Sequence, residues 1–264
     1  MKLYCDFNKI FVIESLFQED KKTGQNLFND VLRWKESQIQ SQLNLINTKK
    51  EFLNLLEDIK IEINKKGMIP FLHLEMHGNE NKDGLVINNG ELITWLELVN
   101  RFREINILTK HNLVVSLATC YGAYIYGEMN IAERAPFWAF IGPWGKLDPI
   151  DIEISYSSFF ETLLSTFDID EAIKVLNESN QLPHRYSFYD SETVFERVYE
   201  KYEQEQYAPE QYKKRVIDIM GDALKDRNIR NTFTIPELKM RIEQILVGDK
   251  DRIKHEERKK FLME

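Results

Sequence analysis

Hydrophobic residues in this chain follow two alternating patterns. Short apolar runs rich in branched side chains are typical of buried strands, and they occupy residues 9–16, 68–76, 113–118 and 137–141. Elsewhere apolar residues recur every three or four positions, a spacing that predicts helices over residues 37–66, 94–106, 148–166 and 169–180. Strands that alternate with helices predict an α/β fold with a mostly parallel sheet flanked by helices.

Local signals set several ends of these segments. Asn88-Asn89-Gly90 lies between two short apolar runs and predicts a hairpin, because the glycine readily takes up a positive φ. Thr94, with Glu97 three residues later, predicts a capping box at the start of a helix. Lys65-Lys66-Gly67 predicts the end of the helix before the second strand.

The chain changes character after Leu182-Pro183. The remaining residues are polar, rich in Tyr, Glu and Lys, and show no strand pattern. Pro209 and Pro236 divide them into about three helices. We therefore predict a first domain over residues 1–185 and a helical C-terminal extension over residues 186–264.

Composition and charge narrow the classes of function. A hydrophobic fraction of 43% supplies a sizeable core, and the net charge of −8 argues against a nucleic-acid-binding surface. No apolar run reaches the roughly 18 residues of a membrane-spanning helix, and the first residues lack a signal-peptide cleavage site. No Walker A or dinucleotide motif is present, so we expect no cofactor. The two cysteines, Cys5 and Cys120, suit a reducing cytoplasm in which Cys120 stays a free thiol.

His77 and Cys120 are the candidate catalytic residues. His77-Gly78 follows the run MIPFLHLEM, and Cys120 lies just past LVVSLA. Neighbouring parallel strands that end together would bring the imidazole and the thiol to one sheet edge, as a cysteine nucleophile and its histidine base require. Taken singly, each has a structural interpretation: Cys120 as a small buried hydrophobe and His77 as a hydrogen-bonded strand end. Their combination favours catalysis.

The glycines beside these residues fit the same chemistry. Gly78 lets the backbone approach a ligand closely, so its N–H and that of Cys120 form a candidate oxyanion hole. Gly122 allows a tight turn into a short helix predicted over residues 123–132. The first backbone N–H groups of that helix would point toward the sulfur.

A metal site is the alternative for the histidines. His73 and His77 lie four residues apart with Glu75 between them, a spacing that could approach a zinc site on a helix. Pro70 and the apolar context favour a strand, in which the two histidines would be about 13 Å apart. We therefore interpret His73 and Glu75 as hydrogen-bonded polar groups within the strand, and we expect no metal.

Three segments resemble a known family: LHLEMHG (residues 72–78), VVSLATCYGA (114–123) and the stretch over residues 139–177. An apolar strand ending in His-Gly, then a helix, then an apolar strand ending in Cys resembles the caspase-like, clan CD cysteine peptidases, including the bacterial CHAT group. The resemblance covers roughly residues 8–180. It implies a caspase-hemoglobinase fold, with Cys120 as the nucleophile and His77 as the general base.

The resemblance also implies a biological setting. It indicates a hydrolase of the thiol protease class that cleaves a protein or peptide substrate without a cofactor. By analogy with this group, we expect this protein to act in bacterial stress, cell death or antiviral defence, and to be activated by a protein partner or by cleavage.

The chain departs from the family in its substrate-recognition residues. Metacaspases carry an acidic residue two positions before the nucleophile, where it binds a basic P1 side chain (the residue before the cleaved bond); Ala118 stands there in this sequence. The caspase signature around the cysteine is also replaced. A small or apolar P1 is therefore expected, with Ala118 and Trp144 as candidate substrate-binding residues. No third member of a catalytic triad is identifiable.

A second hypothesis belongs to a different class of protein. The chain would be a catalytically inactive caspase-like scaffold or adaptor that binds a partner protein through its helical C-terminal segment. The acidic, Tyr-rich stretch over residues 199–212 is compatible with an interaction surface. Retention of both His77 and Cys120 favours the enzyme.

Overall fold

A computed structural model describes residues 6–35, 39–179, 186–206 and 208–264. These residues form two compact units. The first contains nearly all residues up to Ser191, and the second contains nearly all residues from Glu192 to Leu262. The first unit therefore includes residues 186–191, which the sequence assigned to the C-terminal extension.

The first unit is built on an eight-stranded sheet. Its strands are β1 (Lys9–Ser15), β2 (Gln40–Leu45), β3 (Pro70–Gly78), β4 (Gly84–Val86), β5 (Leu92–Thr94), β6 (Val114–Leu117), β7 (Ala139–Pro143) and β8 (Tyr186–Asp190). The main order is β2-β1-β3-β6-β7-β8, parallel as far as β7, with β8 antiparallel to β7. The β4–β5 hairpin pairs with the end of β3. The predicted α/β class with a mostly parallel sheet is confirmed.

Helices follow the strands in the first unit and make up the C-terminal region. The first set is α1 (Thr23–Asp30), α2 (Lys49–Lys66), α3 (Trp95–Leu108), α4 (Pro149–Thr166) and α5 (Ile169–Glu178), with 3-10 helices over Leu32–Lys35 and Gly122–Glu128. The second set is α6 (Ser191–Gln206), α7 (Pro209–Ala223), α8 (Arg227–Thr232), α9 (Ile235–Gly248) and α10 (Lys250–Leu262). The helical C-terminal region is confirmed, with five helices in its described part where about three were predicted.

Alternate residues of the central strands face two separate cores. On β1, Phe11 and Ile13 join the core beneath α2 and α3, whereas Ile10 and Val12 join the core beneath α1, α4 and α5. A side chain of this size that is fully buried stabilises the fold by about 1.5–3 kcal/mol. Burial on both faces explains why these strands appear in the sequence as continuous apolar runs.

The helix predicted over residues 37–66 was wrong in its first part. Residues 40–45 form β2, and the helix begins only at Lys49. β2 pairs with β1 alone and lies at the sheet edge, where its side chains are half-buried or exposed. Leu43 and Ile46 matched a helical spacing by coincidence, because a polar edge strand carries too few apolar residues to show its period of two.

Thr48 sets the start of α2. Its side chain accepts a hydrogen bond from the Glu51 N–H, as an N-cap residue does. We expect Thr48→Ala to lower the free energy of unfolding by about 1 kcal/mol. Urea denaturation checks this against Lys50→Ala, an exposed position in the same helix where the change should stay within about 0.5 kcal/mol.

The predicted C-terminal extension begins with a strand that the sequence did not predict. Residues 186–190 form β8, antiparallel to β7, and most of its side chains are half-buried. The sequence YSFYD is short and mixes aromatic with polar residues, so it carries no apolar run. Its pairing with β7, and not its own pattern, places it in the sheet.

Candidate active site

His77 lies at the carboxyl end of β3, within the last two residues of the strand. Its Nε2 atom lies 2.7 Å from Oδ2 of Asp20, a residue of the loop between β1 and α1. The side chain of His77 is 40% exposed, so one edge of the ring reaches solvent. The strand end therefore presents an imidazole that a carboxylate holds from one side.

The loop after β1 shapes this contact. The Phe17 N–H donates to Asp20 Oδ2 at 2.8 Å, and the Phe17 ring stacks on His77 with centroids 5.0 Å apart. Burial alone would raise the pKa of the Asp20 carboxyl, but hydrogen bonds from His77 and Phe17 and the charges of His77 and a nearby lysine outweigh it. The net effect lowers the Asp20 pKa from its ordinary value. Asp20 is therefore an ionised acceptor at neutral pH.

This pairing selects a tautomer of His77. An ionised carboxylate only accepts hydrogen bonds, so Nε2 of His77 must carry the proton that it donates to Asp20. In the neutral ring Nδ1 is then the acceptor, as a general base requires. Asp20 is therefore a candidate for the third site residue, which the sequence did not reveal. The sequence feature that could have indicated Asp20 is its position just past the first strand, because the carboxyl ends of parallel strands meet at one edge of a sheet.

Cys120 lies in a tight turn three residues after β6. Tyr121 adopts a left-handed conformation (φ 62°), and its N–H donates to the Gly145 carbonyl at 3.0 Å. The Leu147 N–H approaches Cys120 Sγ at 3.4 Å. The segment after β7 thus fixes both the turn and the sulfur, and Cys120 remains partly exposed.

The helix predicted after Cys120 is shorter than expected. A 3-10 helix runs over Gly122–Glu128, where a helix over residues 123–132 was predicted. A Cβ on Gly122 would lie 2.9 Å from Cβ of Leu117 and 3.1 Å from Thr119 Cγ2. The turn back across the end of β6 therefore requires glycine at this position.

The two strand ends are in direct contact. A Cβ on Gly78 would lie 1.8 Å from the Cys120 carbonyl oxygen and 2.8 Å from its carbonyl carbon. Only a residue without a side chain lets β3 pass this close to the cysteine turn. Gly78 therefore determines how near His77 and Cys120 lie to each other.

One cavity of about 70 Å³ is lined by both His77 and Cys120. Ala118, a predicted substrate-binding residue, also lines it. Trp144 is not among its lining residues; it is 42% exposed and packs edge-on against Tyr124, with centroids 5.2 Å apart. The structure thus groups three of the predicted site residues and places Trp144 in a neighbouring aromatic cluster.

His77 and Cys120 are not hydrogen-bonded to each other in the described chain. His77 is bonded to Asp20, and the Cys120 sulfur accepts from Leu147. Catalytic hydrogen bonds are often long before substrate binds, so this arrangement is compatible with a resting dyad.

The predicted oxyanion hole stays a prediction, although one feature fits it. The Asn79 N–H donates to the Gly84 carbonyl across the β3–β4 ladder. Because hydrogen-bonded and non-bonded pairs alternate in an antiparallel ladder, the neighbouring Gly78 N–H points away from β4. It is therefore not used in the pairing of β3 with β4.

His73 and Glu75 lie deeper on the same face of β3. His73 Nδ1 is 2.6 Å from Ser116 Oγ, and its Nε2 is 2.9 Å from Glu75 Oε1. All three side chains are buried. Among the described residues, no group of three His, Cys, Asp or Glu side chains is arranged to hold a metal ion.

No protein-family model matches the chain, and no curated protein is similar to it at a significant level. None of the helices in the described ranges is long and apolar enough to cross a membrane. The function has therefore to be argued from the site itself.

Proposed function

We propose that this protein is a cysteine endopeptidase. Cys120 is the nucleophile, His77 is the general base, and Asp20 positions the imidazole. The observation that carries the proposal is the shared cavity of Cys120 and His77, with His77 held by a carboxylate 2.7 Å away. A nucleophile, a base and a group that orients the base form the general arrangement of covalent catalysis.

The proposed reaction uses these groups in two steps. His77 takes the proton of Cys120, and the thiolate attacks the peptide carbonyl to form a tetrahedral oxyanion. The backbone N–H groups of Gly78 and Cys120 hold that oxyanion. As the C–N bond breaks, His77 returns the proton to the leaving amine. A water molecule deprotonated by His77 then cleaves the thioester, which releases the acid product and the free thiol.

The resemblance to caspase-like peptidases supports the same proposal from the sequence. It extends the proposal to a cytoplasmic role in bacterial defence or cell death, under the control of a protein partner that acts on the helical C-terminal region. The inactive scaffold is the alternative, and the retained site residues with their ordered partners favour the enzyme.

Covalent labelling tests the proposal directly. The purified full-length protein is incubated with acyloxymethyl ketone peptides of varied P1 residue, and intact mass is measured. We expect one added peptide group on wild type, none on Cys120→Ala, and strongly slowed labelling of His77→Ala. Cys120→Ala retains Cys5, so it also reports labelling of any thiol outside the site.

Peptide-library cleavage by the same variants completes the test. Cleavage by wild type that is lost in both variants would establish the dyad. If iodoacetamide alkylates Cys120 while no peptide electrophile labels it and no peptide is cleaved, the thiol is accessible but not catalytic. That result would reject the peptidase hypothesis in favour of the catalytically inactive scaffold.

A further inference from the structure

The cavity beside Cys120 is closed by a buried carboxylate. Glu75 lines this cavity and is only 1% exposed, whereas Cys120 and His77 at its opening are partly exposed. Glu75 therefore lies at the inner end of the space that begins at the proposed nucleophile. A carboxylate at that depth is a strong recognition element, because little water competes for it.

Neighbouring side chains hold Glu75 in place. The Thr23 hydroxyl donates to Oε2 at 2.8 Å, and His73 Nε2 lies 2.9 Å from Oε1. His73 is itself fixed by Ser116 on β6. Each carboxylate oxygen accepts up to two hydrogen bonds, so each oxygen of Glu75 has the capacity for one more.

The walls of the cavity are mainly apolar. They include Leu16, Met76, Ala118, Leu147, Pro149 and Ile152. A volume of about 70 Å³ corresponds to roughly five to seven waters, at 10–15 Å³ of cavity for each. The space therefore suits a single extended side chain with an apolar stem and a polar tip.

The charges around the cavity favour a ligand side chain whose polar tip is positively charged. Asp20 also lines the cavity, and the one lysine among the described lining residues, Lys21, is ion-paired with Glu153. The balance of charge around the cavity is therefore negative.

Thr119 is a second polar residue that lines the cavity, and unlike Glu75 its side chain has no hydrogen-bond partner among the described residues. The hydroxyl of Thr119 is buried and makes no hydrogen bond to any described residue, yet Thr119 lines the cavity. Buried hydroxyls are normally satisfied, and an unsatisfied one calls for an explanation. A hydrogen-bond donor that enters the cavity beside Gly78, where this hydroxyl lies, would satisfy it.

We propose that this cavity is the S1 pocket and that Glu75 selects lysine or arginine at P1. This rests on the proposed peptidase function. The apolar walls hold the methylene stem, and Glu75 forms a charge-assisted hydrogen bond with the ammonium or guanidinium group. The sequence favoured a small or apolar P1 because Ala118 is not acidic. Ala118 forms only part of the wall, and the carboxylate comes from β3.

Matched probes test the selection without any mutation. Two acyloxymethyl ketone peptides differ only at P1, one with arginine and one with citrulline, its neutral isostere. We expect wild type to react about 10- to 100-fold faster with the arginine probe, as a hydrogen bond to a charged group implies. Equal rates, or faster reaction with citrulline, leucine or aspartate, would overturn the assignment and leave the peptidase proposal intact.

Glu75→Gln then assigns the preference to one residue. Gln keeps the shape: its oxygen can accept from His73, and its amide N–H can donate to the Thr23 hydroxyl. Because the negative charge is lost, we expect the arginine-to-citrulline ratio to fall close to one. The control Glu80→Gln removes an equal charge from an exposed residue paired with Lys146 and should keep the wild-type ratio. A wild-type ratio in folded Glu75→Gln would exclude Glu75 as the selecting residue. No labelling of wild type by any P1 probe would instead overturn the peptidase proposal, and the pocket assignment with it.

Discussion

Gly78→Ala is expected to disrupt the site more than any other single methyl addition. The new Cβ would meet the Cys120 carbonyl oxygen at 1.8 Å, so β3 and the cysteine turn must separate. We expect the electrophile labelling rate to fall by more than about 100-fold, since a displacement of about 1 Å has that effect on a catalytic pair. The free energy of unfolding should fall by about 2–3 kcal/mol, as overpacking of a tight contact does.

Gly127→Ala is the matched control for this change. Gly127 lies in the 3-10 helix after the cysteine turn, and a Cβ there has nothing within 4 Å. Its labelling rate and urea midpoint should stay near those of wild type. A Gly78→Ala protein that labels at the wild-type rate would show that the strand ends are not in contact as described.

Asp20→Asn is expected to lower kcat by about 10²- to 10⁴-fold, the range over which an orienting carboxylate acts. The Asn amide can donate to Nε2 of His77, which moves the ring proton to Nδ1 and removes the lone pair that the base needs. Steady-state cleavage of the best library peptide measures the effect. Glu19→Gln removes the same charge from the preceding, exposed residue and should leave kcat near the wild-type value.

The pH dependence of the free energy of unfolding shows whether the Asp20 carboxylate itself contributes to stability. The pKa of the Asp20 carboxyl is lowered in the folded protein, so its ionised form stabilises the fold above the unfolded pKa of about 4. That contribution is lost as pH falls through the lower, folded value. We therefore expect wild type to be more stable than Asp20→Asn at pH 7, with the difference shrinking below about pH 4. A difference that is the same at pH 7 and pH 2.5 would contradict a stabilising contribution from the ionised Asp20 carboxyl.

The buried part of the fold follows from sequence pattern because its signals are local and strong. β1, β3 and β6 are buried on both faces and mostly apolar, and the hairpin turn at Gly90 and the cap at Thr94 use short-range chemistry. Edge strands lack such signals. β2 and β8 are half-exposed and polar, and only their pairing with β1 and β7 makes them strands.

The residues of the candidate site also fall into those that the sequence predicts and those that it does not. His77 and Cys120 could be found because each closes an apolar run, and parallel strands end at a common edge. The contact of Asp20 with His77 and the position of Glu75 at the cavity could not be predicted, because each depends on a contact between distant segments. Asp20 reaches His77 from the loop after β1. The sequence predicts Glu75 as a hydrogen-bonded strand residue, and the structure agrees. Only the packing of α1 and of the segment after β6 shows that Glu75 also borders the cavity.

The hydrogen bond between His73 and Ser116 forms only in the correct register of β3 and β6, and the same register determines where His77 lies. The two residues are direct neighbours in the β3–β6 register. A slip of one residue would turn His73, Glu75 and His77 to the opposite face of the sheet. It would also bury unsatisfied polar groups, each destabilising by about 1–3 kcal/mol. A mispaired molecule would thus be less stable and would lack the arrangement of His77 at the cavity, so the same polar pair fixes both the register of the sheet and the geometry of the candidate site.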